Sequence, residues 1–315
     1  MRVFILCPAA TISGGPEALH QLCAALRAKG VDAAMVYYPA QCPVPEPYRH
    51  YGVAVSPGVV DVPESVVVIP EVVTSIALRF PNARKAVWWL SVDNYFKWLH
   101  RNPGPSVFEP RPDLLHLCQS QYAHDFLAGR GVGPLLMLTD YLTTDVFVPR
   151  PLSGRLPLVA YNPKKAPETT QALISRDARQ VWMPLENLSK SALADLLGEV
   201  RLYVDFGPHP GRDRIPREAA LCGAVVITGR RGAAGLAADV PLPDRFRLDE
   251  RRSEFEAEAT SLIAEMLHGE AAFLAAAEEQ AGYRNWIGRN HQVFLAQVDD
   301  FIATMSVHPA GGWAV

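Results

Sequence analysis

The stretch that decides the reading is Tyr203-Val204-Asp205-Phe206-Gly207-Pro208-His209-Pro210-Gly211-Arg212-Asp213-Arg214-Ile215-Pro216-Arg217-Glu218-Ala219-Ala220. Its opening residues close an apolar run that starts at Arg201 and reads as a strand ending near Asp205. A loop rich in Gly and Pro follows, and Pro216 suits the first position of a short apolar helix reaching Cys222. In parallel α/β sheets, ligands bind at loops of this kind, at the carboxyl ends of strands. The side chains fit a nucleotide. Glu218, expected in the first helical turn, carries a carboxylate able to accept two hydroxyl hydrogen bonds, as neighbouring ribose hydroxyls would offer. Arg212 and Arg214, flanking Asp213, have guanidinium forks that match phosphate oxygens. The competing reading is a surface loop of ion pairs that caps the helix.

Outward from this loop the same alternation continues. Leu158 to Tyr161, Gln180 to Met183 and Ala224 to Thr228 read as further strands, with helices at Glu168 to Ser175 and Ser189 to Leu197. Toward the amino terminus, strands are expected at Arg2 to Cys7, Ala33 to Tyr38, Val66 to Ile69, Lys85 to Leu90 and Leu114 to Cys118. They are nearly continuous apolar runs, the signature of parallel sheets covered on both faces. A helix opened by Pro16 and stopped by Gly30 places Leu19, Leu22, Cys23 and Leu26 on one face, and further helices are expected from Glu71 and over Gln121 to Gly129. Thr139 to Leu156, with Pro149, Pro151, Ser153 and Gly154, breaks the rhythm as a linker. Beyond Asp249 the chain turns helical and ends in a helix from Trp286 to Met305.

The 315 residues suit two domains at roughly 150 residues each, which leaves room for a cleft between them. The expected class is α/β, with two Rossmann-like parallel-sheet domains at residues 1–145 and 155–285 and a terminal segment at 286–315. Lys and Arg total 30 against 33 Asp and Glu, a net charge of −3, so no global basic field exists to hold nucleic acid. Hydrophobic residues at 49% and a mean hydropathy of +0.04 exclude a disordered chain. The uncharged run from Val3 to Pro16 is too short to span a bilayer and lacks a signal-peptide cleavage pattern, which points to a cytoplasmic location. The five cysteines, Cys7, Cys23, Cys42, Cys118 and Cys222, are scattered and form no C-x-x-C pair, and the nine histidines are not clustered, so neither a disulfide framework nor a structural zinc site is expected.

Other strand-end loops carry suggestive residues. Thr11-Ile12-Ser13-Gly14-Gly15-Pro16-Glu17 joins a strand to a helix, where the N–H groups of Gly14 and Gly15 could approach a phosphate. It is neither a dinucleotide fingerprint nor a Walker loop, and a tight turn reads equally well. Asn162, Lys164 and Lys165 end the first strand of the second half, the lysines as point charges for a diphosphate or as a solvated turn. Thr228 to Gly235, with Gly232, is small enough for close backbone approach. Trp88 to Tyr95 sets Asp93 in an aromatic and polar cluster, with an Asx-type helix cap at Asp93 or Asn94 as the plain alternative.

These residues resemble the GT-B glycosyltransferases of the retaining, family 4-like kind. Gly14-Gly15-Pro16-Glu17-Ala18-Leu19, followed by an amphipathic helix and Lys29-Gly30-Val31, is similar to that family's amino-terminal Gly-Gly-x-Glu helix. Glu218-Ala219-Ala220-Leu221-Cys222-Gly223-Ala224-Val225-Val226-Ile227-Thr228 is similar to its Glu-Ala-x-Ala-x-Gly-x-Pro-Val-Val-x-Thr signature, whose Glu binds the donor ribose. The family's second Glu, eight residues earlier, is Pro210 here, and Asp213 is the candidate to share its role. The resemblance implies two domains facing across a cleft, an acceptor-binding first domain, a donor-binding second domain, and a terminal helix crossing back to the first.

The implied reaction moves a sugar from a nucleotide diphospho-sugar to a hydroxyl of a glycan or lipid-linked glycan, in bacterial surface polysaccharide synthesis, with peripheral contact at the inner membrane surface left open. Lys164, Lys165 and Arg214, with the N–H groups of Gly14 and Gly15, would stabilise the departing diphosphate; Asn162, Arg212, Asp213, Glu218, Thr228 and Gly232 would contact the donor. No cofactor is expected, and without a D-x-D motif no metal. An inverting course would need a general base, with Asp93 or His20 as candidates, His20 otherwise reading as a satisfied surface residue. A nucleotide-sugar epimerase and a non-catalytic nucleotide-sugar or glycan-binding subunit are the rival readings.

Overall fold

The computed structural model describes residues 1–101, 107–108, 113–177, 179–307 and 313. The chain divides into two compact units, Met1–Tyr141 with His291–Val315, and Leu142–Asn290. Of the expected terminal segment 286–315, residues 308–312 and 314–315 lie outside the described residues. No described helix is long and apolar enough to cross a membrane.

In the first unit, β1 (Arg2–Pro8), β2 (Asp32–Tyr38), β3 (Ser65–Pro70), β4 (Arg84–Trp89), β5 (Leu114–Cys118) and β6 (Leu135–Met137) form a parallel sheet in the order β2-β1-β3-β4-β5-β6. The alternation of strand side chains explains its uninterrupted apolar runs. Val3, Ile5, Val66 and Val68 face one core, shared with α1 (Gly14–Ala28) and with Phe294, Val298, Phe301 and Met305. Phe4, Leu6, Val67 and Ile69 face another. The α1 helix buries the expected Leu19, Leu22, Cys23 and Leu26, and Gly30 follows its end at φ +81°, a left-handed conformation that favours glycine.

Three expectations in this unit are corrected. Pro16 is the third helical residue rather than the first, because Ser13 is the N-cap. The segment Glu71–Arg79 is a 3₁₀ helix interrupted at Val73 rather than an α-helix, as suits the β-branched run Val72-Val73-Thr74. Trp88 to Tyr95 leads into α2 (Val92–Arg101), and Ser91, not Asp93 or Asn94, holds its start through Oγ, which accepts the Asn94 amide at 3.3 Å. Next comes α3 (Gln121–Ala128), with Ser120 as its side-chain cap.

The second unit holds β7 (Leu156–Tyr161), α4 (Pro167–Arg176), β8 (Val181–Pro184), α5 (Lys190–Glu199), β9 (Val200–Asp205), α6 (Arg214–Cys222), β10 (Val225–Gly229) and β11 (Arg247–Leu248). Its sheet is parallel, in the order β11-β10-β9-β7-β8. Helices α7 (Phe255–His268), α8 (Glu270–Glu279) and α9 (Ala281–Val307) follow. Tyr283 and Ile287 of α9 belong to the core of this unit, while its later residues belong to the first.

Candidate functional site

Within the second unit β7 has β8 on one side and β9 on the other, so the order of strands reverses at β7/β9 and the loops leaving their carboxyl ends open a crevice there. β10 lies beside β9, and its loop leaves the same edge. The structure therefore brings together three of the loops singled out in the sequence.

Side chains fill the crevice. Lys165 Nζ lies 3.1 Å from Asp205 Oδ1 and is also bonded to Asp213 Oδ2. Tyr203 donates its hydroxyl to Asp205 Oδ2 at 2.8 Å, and His209 Nδ1 is 3.2 Å from Asp213 Oδ2. Burial alone would push the Lys165 ammonium down, but the two carboxylates outweigh it and hold the group above the ordinary lysine value. Burial likewise opposes protonation of His209, yet Asp205 and Asp213 raise it. For Asp213, burial favours the neutral acid, and His209 and Lys165 override it, bringing the carboxyl down to about 2. Asp213 is the N-cap of α6 but makes no capping bond, since its carboxylate is turned to Lys165 and His209.

That N-cap also corrects the expected start of α6. The helix begins at Arg214, Pro216 is its third residue, where a missing N–H costs nothing because first-turn donors have no helical partner, and Glu218 lies beyond the first turn. Glu218 is buried and its Oε1 accepts from Arg214 Nε at 3.4 Å.

Backbone contacts join the loops. His209 O accepts the Ala233 amide at 2.8 Å, and His209 N–H donates to Arg231 O at 3.2 Å. Gly232 sits at φ +63° directly against the His209 carbonyl, where any Cβ would collide. Glu250 takes the amides of Gly207 (2.5 Å) and Arg230 (3.2 Å), tying the ends of β9 and β10 to the segment after β11.

The remaining predicted residues divide by environment. Lys164 is exposed and forms no ion pair among the described residues; its amide donates to Asn162 Oδ1 at 3.1 Å. Arg212 is buried, stacked over Trp286 at 4.3 Å and bonded to Asn290 Oδ1. The Arg217 guanidinium donates to the carbonyls of Asp213 (3.1 Å) and Arg212 (2.6 Å), holding the loop from inside. Thr228 is fully buried within β10, opposite Asp205 in register, inside the strand expected over Ala224 to Thr228.

In the first unit, Gly14 and Gly15 open α1, where the N–H groups of a helix start lack helical partners. Asp93 is the second residue of α2, and its Oδ1 accepts the Tyr122 hydroxyl at 3.4 Å. His20 is fully buried, not on the surface as expected. Its Nδ1 is 2.6 Å from Pro16 O and its Nε2 2.9 Å from the Tyr37 hydroxyl, and burial lowers its pKa.

One histidine shares a potential ligand set with two carboxylates. Asp205, His209 and Asp213 offer ligand atoms all within 4.8 Å of one another. The Lys165 ammonium already bridges both carboxylates, so a divalent ion there would have to displace it. Sequence reasoning passed over Asp205 and His209 as site residues, although the spacing Asp-x₃-His-x₃-Asp within one Gly and Pro loop is a readable signal. Nothing local marks Glu250.

No protein-family model and no curated protein matches the chain. Solved structures do match. Sucrose-phosphate synthase from Thermosynechococcus elongatus aligns with a TM-score of 0.64 at 12% identity, over 97% of this chain and 99% of that one. Anabaena HepE in complex with UDP-glucose aligns with a TM-score of 0.63 at 12% identity, over 96% and 99%. The fold is that of the GT-B glycosyltransferases. WaaG, a glycosyltransferase involved in lipopolysaccharide biosynthesis, shares it with a TM-score of 0.57 at 12% identity, over 95% and 98%.

Proposed function

We propose that the chain is a family 4-like glycosyltransferase that moves a sugar, with retention, from a nucleotide diphospho-sugar to a hydroxyl of a glycan or lipid-linked glycan. Its place would be bacterial surface polysaccharide synthesis at the cytoplasmic side of the membrane, with no metal ion in the transfer step. The observation that carries this reading is the gathering of the β7, β9 and β10 loops at one sheet edge, with the exposed Lys164 on one and the Arg214–Glu218 pair on the next. The fold shared with a UDP-glucose complex supports the donor class.

Transfer of this kind passes through an oxocarbenium-like transition state and releases a diphosphate, so the protein's main task is to stabilise charge on the leaving group. Lys164 supplies a cation not committed elsewhere among the described residues, and Arg214 supplies a guanidinium beside the ribose-binding Glu218. Lys164→Ala and Arg214→Ala are each expected to lower turnover on the order of 10²-fold. Unchanged turnover in both variants, with a verified donor, rules the assignment out. A thermal-shift panel of UDP, GDP, dTDP and CMP identifies the base, because a ligand that binds the native state raises its stability. NMR of the product anomer reads the stereochemistry, and an inverted product gives Asp93 the proton-accepting role.

One observation favours a second reading, a nucleotide-sugar-binding subunit without transfer activity: Lys165 is already neutralised by Asp205 and Asp213. Calorimetry would then show donor binding without hydrolysis or transfer over a broad acceptor panel.

A further inference from the structure

The first unit has its own strand-order reversal, at β1/β3, and a cavity of about 460 Å³ opens there. Pro8, Ala9 and Thr11 wall it from the end of β1, Tyr38 from the end of β2, and Glu71 from the residue after β3, with Trp98 of α2 opposite. Its size falls within the roughly 300–1,000 Å³ range of small-ligand sites. No lysine, arginine or histidine lines it among the described residues, so nothing there would hold a phosphate.

Glu71 is 3% exposed, its Oε2 accepts the Leu90 amide at 3.2 Å, and no cation lies within ion-pair distance of it among the described residues. The Tyr38 hydroxyl is buried without a hydrogen-bond partner. An acid with no cation beside it, a spare hydroxyl and the aromatic walls of Tyr38, Tyr95 and Trp98 form a site whose missing element is positive charge. We infer that this pocket binds an ammonium-bearing ligand, an amino sugar, with the nitrogen held by Glu71 and the ring against Tyr38 and Trp98.

Burial pushes the Glu71 carboxyl up to about 8, offset only in part by the amides of Glu71, Leu90 and Ser91. An ammonium would supply the counter-charge and draw it back down. The ligand's role as acceptor rests on the glycosyl-transfer reading; its binding does not.

The test is a ligand-observed NMR titration of the full chain with D-glucosamine, N-acetyl-D-glucosamine and D-glucose, with no donor present. Glucosamine is expected to bind at least tenfold more tightly than the two neutral sugars. Glu71→Gln, which keeps an acceptor for Leu90 but carries no charge, is expected to erase that preference. Equal binding of the three sugars, no binding of glucosamine, or a preference that survives in Glu71→Gln overturns the inference. Should that variant not fold, Trp98→Ala, at a side chain 46% exposed, is expected to weaken glucosamine binding severalfold, and unchanged affinity overturns the inference equally. UDP binding followed in the same samples reports separately on the donor reading, so the two failures are distinguishable.

Discussion

The two strand-order reversals are built alike and finished differently. In each unit the first strand lies between the second and third, and an acid stands at or just past the end of the third: Glu71 after β3, Asp205 closing β9. In the second unit the loop after the first strand brings Lys165, and the crevice closes on ion pairs. In the first unit the end of the first strand and its loop bring Pro8, Ala9 and Thr11, and the acid is left facing a cavity. Sheet topology makes the crevice, and the charge carried by one loop decides whether it is filled.

The largest expected effect breaks the filled site. Asp205→Ala removes one of the two carboxylates that hold Lys165 and the buried acceptor of the Tyr203 hydroxyl, and should cost about 3 kcal/mol in urea unfolding. A loss below about 1 kcal/mol would mean that the crevice is wet and the ion pairs idle. For the open site, Glu71 has a folded value near 8 against an ordinary 4.5, so the unfolded chain releases that proton first. Stability should therefore fall as pH rises from 4.5 to 8 and level off above 8. Glu71→Gln should remove that decline, gaining stability over the parent at pH 9 and none at pH 4.

The ion-paired site has a different profile. His209 is raised, so its contribution is complete below about 6.5 and lost as pH climbs through the folded value, whereas that of Asp213 is lost only as pH falls toward about 2. A Tm gap between the parent and His209→Gln should accordingly narrow by a few °C from pH 6 to 9. The smallest effects separate the units themselves. Ser120→Ala and Ser189→Ala each remove a side-chain cap, one per unit, and should cost about 1 kcal/mol, read as shifts in different calorimetric transitions if the units unfold independently.

Much of the scaffold was legible because each central strand is an apolar run bounded by turn residues. β6 and β11 were missed, since three and two residues carry no periodicity. The site was legible as loops, but not as contacts. In the sequence, Lys164, Lys165, Arg212, Arg214, Arg217, Arg230 and Arg231 form a local excess of positive charge in the second half, mostly near expected strand ends, and read as an electropositive donor site. In the fold, Lys165 meets carboxylates, Arg212 an indole and an amide, Arg217 loop carbonyls, and Arg230 the carbonyl of Arg247. A sequence counts charges without naming their partners, and a buried arginine looks the same on paper as a solvated one. Lys164 and Arg231 are the members of the cluster left exposed without an ion pair among the described residues.

The distribution of α9 between the two cores bears on biosynthesis. Phe294, Val298, Phe301 and Met305 complete the core around β1 and β3, yet they leave the ribosome after all of the second unit. Domains ordinarily mature in the order of their synthesis. Here the half begun first is finished last, and through most of translation one face of its sheet is only partly covered, by α1, a window in which a nascent-chain chaperone would find its substrate.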